Sequence, residues 1–255
     1  PSSPKASIHC WTSFSIWSRR QRYSGSSRTS WRCDQIEKDV QQWIDAFGEE
    51  GSRTGIIRIP VVVGNTVGFK ATLEIMRTGV AAVLVGVGPG AACTSREVLG
   101  IGVPQVTATI ECAAARDRYF EETGRYVPII TDGGIRTGGD VCKCIASGGD
   151  GVMMGSPFAG TTEAPGRGYH WGMATPHANL PRGTRVQVGV NTTLQKLLYG
   201  PTSRTDGTEN LVGALRTAMG MCGSHTVGEF QQAEMIIAPS IKTEGKIYQF
   251  AQAKD

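Results

Sequence analysis

No stretch of this 255-residue chain approaches the 18 consecutive apolar residues of a membrane span. Charge of one sign is also scarce: 26 Lys and Arg stand against 22 Asp and Glu, a net +4. That surplus is too diffuse to argue for nucleic acid or an anionic membrane as partner. Paired cysteine spacings are missing as well. The seven cysteines are odd in number, Cys142 and Cys144 stand too close for the usual zinc pair, and no histidine lies near them in sequence. This argues against a disulfide framework and against a structural metal, and favours reduced thiols in a cytoplasmic protein. Glycine, by contrast, is abundant: 34 residues, nearly twice the usual ~7%, without the triplet period of collagen. Glycine used so freely signals tight turns and backbone brought close to a ligand. A loop-rich enzyme is expected, and 40% hydrophobic residues suffice for a sizeable core.

The first 55 residues differ from the rest. Residues 1–33 hold ten serines, six Lys or Arg, three tryptophans and no acid, with neither helical nor strand period. Such a composition resembles a transit peptide, although the chain begins at Pro1 and tryptophan is unusual there. A disordered or targeting tail, sequence not native to the domain, and a folded cap all remain open. Ile36, Val40, Trp43 and Ile44 are spaced for one helical face ending near Gly48. The organisation expected is an atypical segment over 1–55 and a partial catalytic domain over 56–255.

From Ile56 onward a regular alternation sets in. Apolar runs at Ile59–Gly64, Ala81–Gly86, Val127–Thr131 and Gly151–Met154 read as buried parallel strands. Helical stretches follow at Phe69–Arg77, Ile110–Thr123 and Gly139–Ser147, with Gly79 and Gly124 as stops. Strand–loop–helix repetition gives an α/β fold with a parallel sheet. A dinucleotide fold wants G-x-G-x-x-G, and Gly86-x-Gly88-x-Gly90 has the wrong spacing. Gly155-Ser156 after the last strand fits the phosphate turn of a (β/α)8 barrel. Only four units are visible, so an incomplete, C-terminal half barrel followed by a flap region is expected.

Chemistry concentrates in the loops after these strands. Cys93 lies in the glycine loop after the second, where backbone N–H groups can stabilise a thiolate; an inert packed cysteine is as good a reading from pattern alone. Asp132-Gly133-Gly134 puts a carboxylate at the mouth of the third strand, with a helix cap as the equal alternative. Gly155-Ser156 offers N–H groups and a hydroxyl to a phosphate, or makes an ordinary turn. Cys112, Cys142 and Cys144 read as core filling, and His177 and His225 as structural or surface histidines.

In the order Val85-Gly-Val-Gly-Pro-Gly-Ala-Ala-Cys-Thr-Ser-Arg96, Thr131-Asp-Gly-Gly-Ile135, Val152-Met-Met-Gly-Ser156, Thr162-Glu-Ala-Pro-Gly166 and Trp171-Gly-Met173, these motifs resemble the IMP dehydrogenase/GMP reductase family. The resemblance covers about residues 56–250 and leans toward the branch without CBS domains. It implies a (β/α)8 barrel in which Cys93 adds to C2 of IMP and hydride passes to NAD, leaving a thioimidate that water hydrolyses to XMP. It implies K+ held by the backbone of Gly88, Gly90 and Cys93, and a cofactor side lined by Asn65, Gly86, Val87 and Gly88. Asp132 and Gly133 fall at the ribose and Gly134, Gly155 and Ser156 at the phosphate, with His170, Trp171, Gly172 and Met173 continuing the nucleotide site. Gly166–Arg185 corresponds to the mobile flap, on which Arg182 or Arg185 takes the water-activating role. A homo-oligomer, a tetramer by family, is implied, with no nucleic acid or membrane partner.

Four features depart from the family pattern: Ala91 replaces a serine, His170-Trp171 replaces a Tyr-Arg pair, the flap Arg-Tyr pair is absent, and Gly189 stands for an acid or amide. GMP reductase, which shares the cysteine loop, and a catalytically silent nucleotide-binding paralogue or fragment are the alternatives.

Overall fold

In the computed structural model of the chain, residues 60–172 and 185–236 are described. The 1–55 segment with its expected helix, Met173, His177 and Arg182 lie outside them. Four parallel strands form one sheet in sequential order: β1 (Val62–Thr66), β2 (Ala82–Val85), β3 (Ile129–Asp132) and β4 (Gly151–Met153). Their registers pair Val62 with Ala82, Val83 with Ile129 and Ile130 with Gly151. Helices α1 (Phe69–Arg77), α2 (Ser95–Leu99), α3 (Gln105–Thr123), α4 (Gly138–Ala146) and α5 (Ser156–Ala159) fill the connections. Sequential parallel order with a helical crossover after each strand is the arrangement of a (β/α)8 barrel, here a partial one.

Side chains alternate along each strand. Val63, Val83, Val85 and Ile129 point toward α1 and α3, where they form one core with Met76, Val80, Ala108, Cys112 and Tyr119. Met76 and Ile129 are wholly buried, each contributing about 1.5–3 kcal/mol relative to exposure. The opposite parity faces what is the interior of a complete barrel. There Pro60, Val62, Ala82, Pro128 and Ile130 line an apolar hollow of about 350 Å³ around the strand starts. Among the described residues no strand pairs with the outer edge of β1 or of β4.

A second core lies under α4, where Val141, Cys144 and Ile145 meet Leu197 of α6 (Leu194–Tyr199), Leu211 of α7 (Leu211–Met221) and Phe230 of α8 (Val227–Phe230). Close approach of α4 and α7 depends on Gly138, whose absent Cβ would lie 2.3 Å from that of Ala214. Strands β5 (Tyr169–Trp171) and β6 (Arg185–Gln187) form a small antiparallel pair.

Several boundaries differ from the sequence expectation. β1 runs from Val62 through Thr66, so Gly64 lies inside the strand and not at its end. A Cβ at Gly64 would come within 2.5 Å of Leu84 Cβ, so glycine serves strand packing there. α3 begins at Gln105, five residues before Ile110, with Pro104 as its N-cap residue. α5 is a single turn of four residues, too short for a substantial dipole at Gly155-Ser156.

Candidate active site

Every loop that follows a strand of the sheet emerges at one end, and short backbone contacts tie these loops together. Asp132 ends β3, and its Oδ2 accepts a hydrogen bond from Asn65 Nδ2 of β1 at 2.8 Å. Burial raises the Asp132 carboxyl above its ordinary range, and the Asn65 bond offsets part of that. Asn65, expected on the cofactor side, is therefore engaged with the carboxylate that the resemblance assigns to ribose. Gly133 and Gly134, both at positive φ, lie against the cysteine loop. A Cβ on Gly134 would meet Pro89 O at 2.9 Å, and one on Gly133 would meet Gly90 N at 3.2 Å.

The cysteine loop closes in a turn, Cys93 N donating to Gly90 O at 3.0 Å. The half-buried Cys93 thiol reaches Ser95 Oγ at 3.4 Å. Burial lifts the Cys112 thiol to about 11 and Cys144 to about 12, and raises Cys142 as well. These buried thiols stay protonated near neutral pH, as befits core filling. Gly172 meets the same loop: its absent Cβ would lie 2.6 Å from Ala92 O. The end of β5 thus abuts the residue preceding Cys93.

At the end of β4, Ser156 Oγ and His170 Nε2 share a hydrogen bond of 2.8 Å. The imidazole lies beside Gly155, 3.4 Å from where its Cβ would stand. A hydroxyl, an imidazole and a glycine turn can together receive a phosphate. Trp171 is 63% exposed on the small hairpin, opposite Arg185. The Arg185 guanidinium lies 4.0 Å from the Tyr169 ring centroid, a cation–π contact. His225 is exposed, as expected of a surface histidine.

Two further side chains with no assigned role pack against the glycine loop from outside the site. Gln105 Nε2 donates to Val85 O at 2.7 Å beneath the loop, and its Oε1 is the one buried side-chain polar atom without a partner among the described residues. Arg96 lies against Gly88 and donates to Val103 O. Neither is marked by a strand-end position: the cysteine motif ran as far as Arg96, and Gln105 lay before the helix expected from Ile110.

Residues 41–246 match the model of the IMP dehydrogenase / GMP reductase domain. The chain belongs to the IMP dehydrogenase / GMP reductase family. An uncharacterized oxidoreductase of Mycobacterium leprae is 46% identical over 184 residues, covering 71% of this chain and 49% of the relative. A GMP reductase of Leishmania donovani is 34% identical, covering 72% of this chain and 39% of the relative. An inosine-5'-monophosphate dehydrogenase of Chlorobaculum tepidum is 32% identical, covering 68% and 38%. The solved structure of an IMP dehydrogenase/GMP reductase-like protein from Corynebacterium glutamicum aligns with a TM-score of 0.68 at 36% identity, covering 78% of this chain and 50% of that one. The chain spans about half the length of the curated relative from M. leprae. No helix among the described residues is long and apolar enough to cross a membrane.

Proposed function

We propose that this chain carries the covalent half of a redox reaction at C2 of a purine nucleoside 5'-monophosphate, in the oxidative direction IMP to XMP. One observation carries the reading: Cys93, Asp132 and the Ser156–His170 pair lie at the same end of the sheet, joined by the Gly133–Gly90 and Gly172–Ala92 contacts. A nucleophile, a carboxylate for ribose hydroxyls and a phosphate turn, on successive strand ends, match the three parts of a nucleotide.

In this reading the ribose diol donates to Asp132, a carboxylate with one side-chain donor already in place from Asn65. The phosphate occupies the turn at Gly134, Gly155 and Ser156, with His170 beside it and Trp171 and Gly172 continuing that wall. The Cys93 thiolate adds to C2, placing the electron pair on the purine ring. Asn65, Gly86, Val87 and Gly88 would hold NAD+, whose nicotinamide would supply the hydride acceptor for C2. Water then adds to the thioimidate carbon and the thiol leaves, giving XMP and free Cys93. Carbonyls of Gly88, Gly90 and Cys93 would hold K+, since hard oxygen donors suit such a cation. The Gly90 carbonyl already accepts from Cys93 N and keeps a second lone pair for it.

Reductive deamination of GMP is the second reading, and Arg185 favours it. Hydrolysis needs a water-activating group, whereas the Arg185 guanidinium is laid over Tyr169. Deamination returns hydride to C2 and releases ammonia without that hydrolytic step. Incubation of the full chain with IMP and NAD+, or with GMP and NADPH, separates the two by product. Acid-quenched peptide mass spectrometry should find the nucleotide on Cys93. Cys93→Ala should lower either turnover by at least about 10³-fold, and adduct or product formed at the parental rate by that variant rejects covalent catalysis.

A further inference from the structure

We infer that Arg96 is a positioning residue: it clamps the Gly86–Gly90 loop from outside and thereby sets the affinity for the nicotinamide cofactor. The inference rests on the reading of Gly86–Gly88 as the cofactor side of the site. Arg96 lies in the first turn of α2, three residues beyond Cys93. Its stem runs through a slot between two glycines. A Cβ on Gly88 would come within 2.7 Å of Arg96 Cγ and 2.8 Å of Nε. A Cβ on Gly102 would come within 2.8 Å and 2.6 Å of the same two atoms. A side chain at either glycine would therefore displace the arginine stem, and Gly88 stands at φ +89° besides.

The clamp closes on itself. Arg96 Nη2 donates to Val103 O at 3.0 Å. Val103 N in turn donates to Val87 O, inside the loop, at 3.3 Å. Loop, arginine and the Gly102–Val103 segment thus form one ring of contacts around Gly88. Gln105 holds the base of the same loop through Val85 O, so base and tip have separate supports. Arg96 is exposed and belongs to neither core cluster. Its loss should therefore loosen the loop without opening the sheet, which distinguishes a positioning role from general support.

Hydrogen exchange of the full chain tests this without needing turnover. Arg96→Ala should raise exchange of the Val87–Cys93 amides about tenfold, the worth of one charge-assisted hydrogen bond, while amides of β1–β4 and α3 keep their protection. Arg96→Lys, which retains the stem and a donor, should recover at least half of that protection. Fluorescence titration with NADH and NADPH should show about tenfold weaker cofactor binding in Arg96→Ala, with affinity for IMP unchanged. Unchanged loop exchange, a lysine variant no better than alanine, equal loosening across the sheet, or unaltered cofactor affinity each overturns the inference. Failure of the chain to modify Cys93 with any nucleotide would reject the proposed reaction, while the exchange data would still decide the clamp.

Discussion

Asp132 and Asp150 sit at opposite ends of the same sheet, and their surroundings could hardly differ more. Asp150, just before β4, accepts from Arg116 Nη1 at 2.9 Å, from the backbone N of Ile129 at 2.9 Å, from Gln231 at 3.0 Å and from the Tyr126 hydroxyl. Arg116 is itself only 4% exposed and also donates to Gly148 O. Asp132, the last residue of β3, receives one side-chain donor, from Asn65. At the strand starts the Asp150–Arg116 network holds α3 to β3, β4 and the segment after α8. At the strand ends, carboxylate, thiol and the Gln105 oxygen keep bonding capacity in reserve. Reserve capacity costs folding energy and serves a ligand. Barrel enzymes divide stability and chemistry between the two faces in this way.

Breaking the saturated end should have the largest effect. Asp150→Ala leaves the buried Arg116 guanidinium with the more exposed Asp117, 2.9 Å away, as its remaining ion-pair partner, and strips partners from Tyr126 and Gln231. A loss of about 3 kcal/mol, the low end for breaking a buried pair, is expected because Asp117 still neutralises part of the charge, read as the shift in urea-unfolding free energy. A loss under about 1 kcal/mol would place the network among exposed, solvent-screened pairs and remove the contrast between the two ends.

Asp132→Asn should do the opposite to stability while harming binding. Because burial raises the folded carboxyl above its ordinary value, the ionised form is disfavoured in the fold. The stability linked to this group is fully present below the ordinary aspartate pKa and is lost as pH rises through the raised folded value. At neutral pH the ligand-free asparagine variant should therefore melt slightly higher than the parent. That gain should vanish in acid, below the ordinary aspartate range. Affinity for IMP should fall roughly 10- to 100-fold, the worth of hydrogen bonds to a charged acceptor. Calorimetric melting across pH, beside isothermal titration with IMP, checks both arms. A variant that melts lower at neutral pH would make Asp132 structural, like Asp150.

The alternation of strands and helices was legible because parallel strands read as short apolar runs and helix ends carry glycine. α1 was readable to the residue, Phe69–Arg77, with Gly79 beyond it at positive φ. Gly64 misled because a glycine that ends a strand and one that permits packing over Leu84 look identical in sequence. Thr107 and Thr109 hid the first turns of α3. Thr109 is buried, its hydroxyl donating to Gln105 O and lying 3.3 Å from that of Thr131, so a polar residue there faces the sheet. The hairpin β5–β6 escaped notice because its strands have three residues each. Cys93, Asp132 and Ser156 stood out as candidates because each lies at or just beyond the end of a strand. Gln105 and Arg96 act across elements, through spaces left by glycines, and one sequence carries no signal for that.

The smallest effect should come from the hairpin, the lightest part of the upper end. Arg185 and Tyr169 face each other diagonally across β5 and β6, where Tyr169 pairs with Gln187 and Trp171 with Arg185. Arg185 is exposed, so its cation–π contact with the ring is worth about 0.5–1 kcal/mol. Tyr169→Leu keeps an apolar body at the position and removes only the ring's negative face. Its urea-unfolding free energy should therefore fall by no more than about 1 kcal/mol. The same substitution releases the guanidinium. If Arg185 serves the hydrolytic step of IMP oxidation, XMP formation should rise in Tyr169→Leu while Cys93 adduct formation holds. If the chain runs the deamination of GMP, neither rate should respond. A stability loss above about 2 kcal/mol would show that the hairpin belongs to the folding core, and the upper end would then carry as much of the fold as the lower.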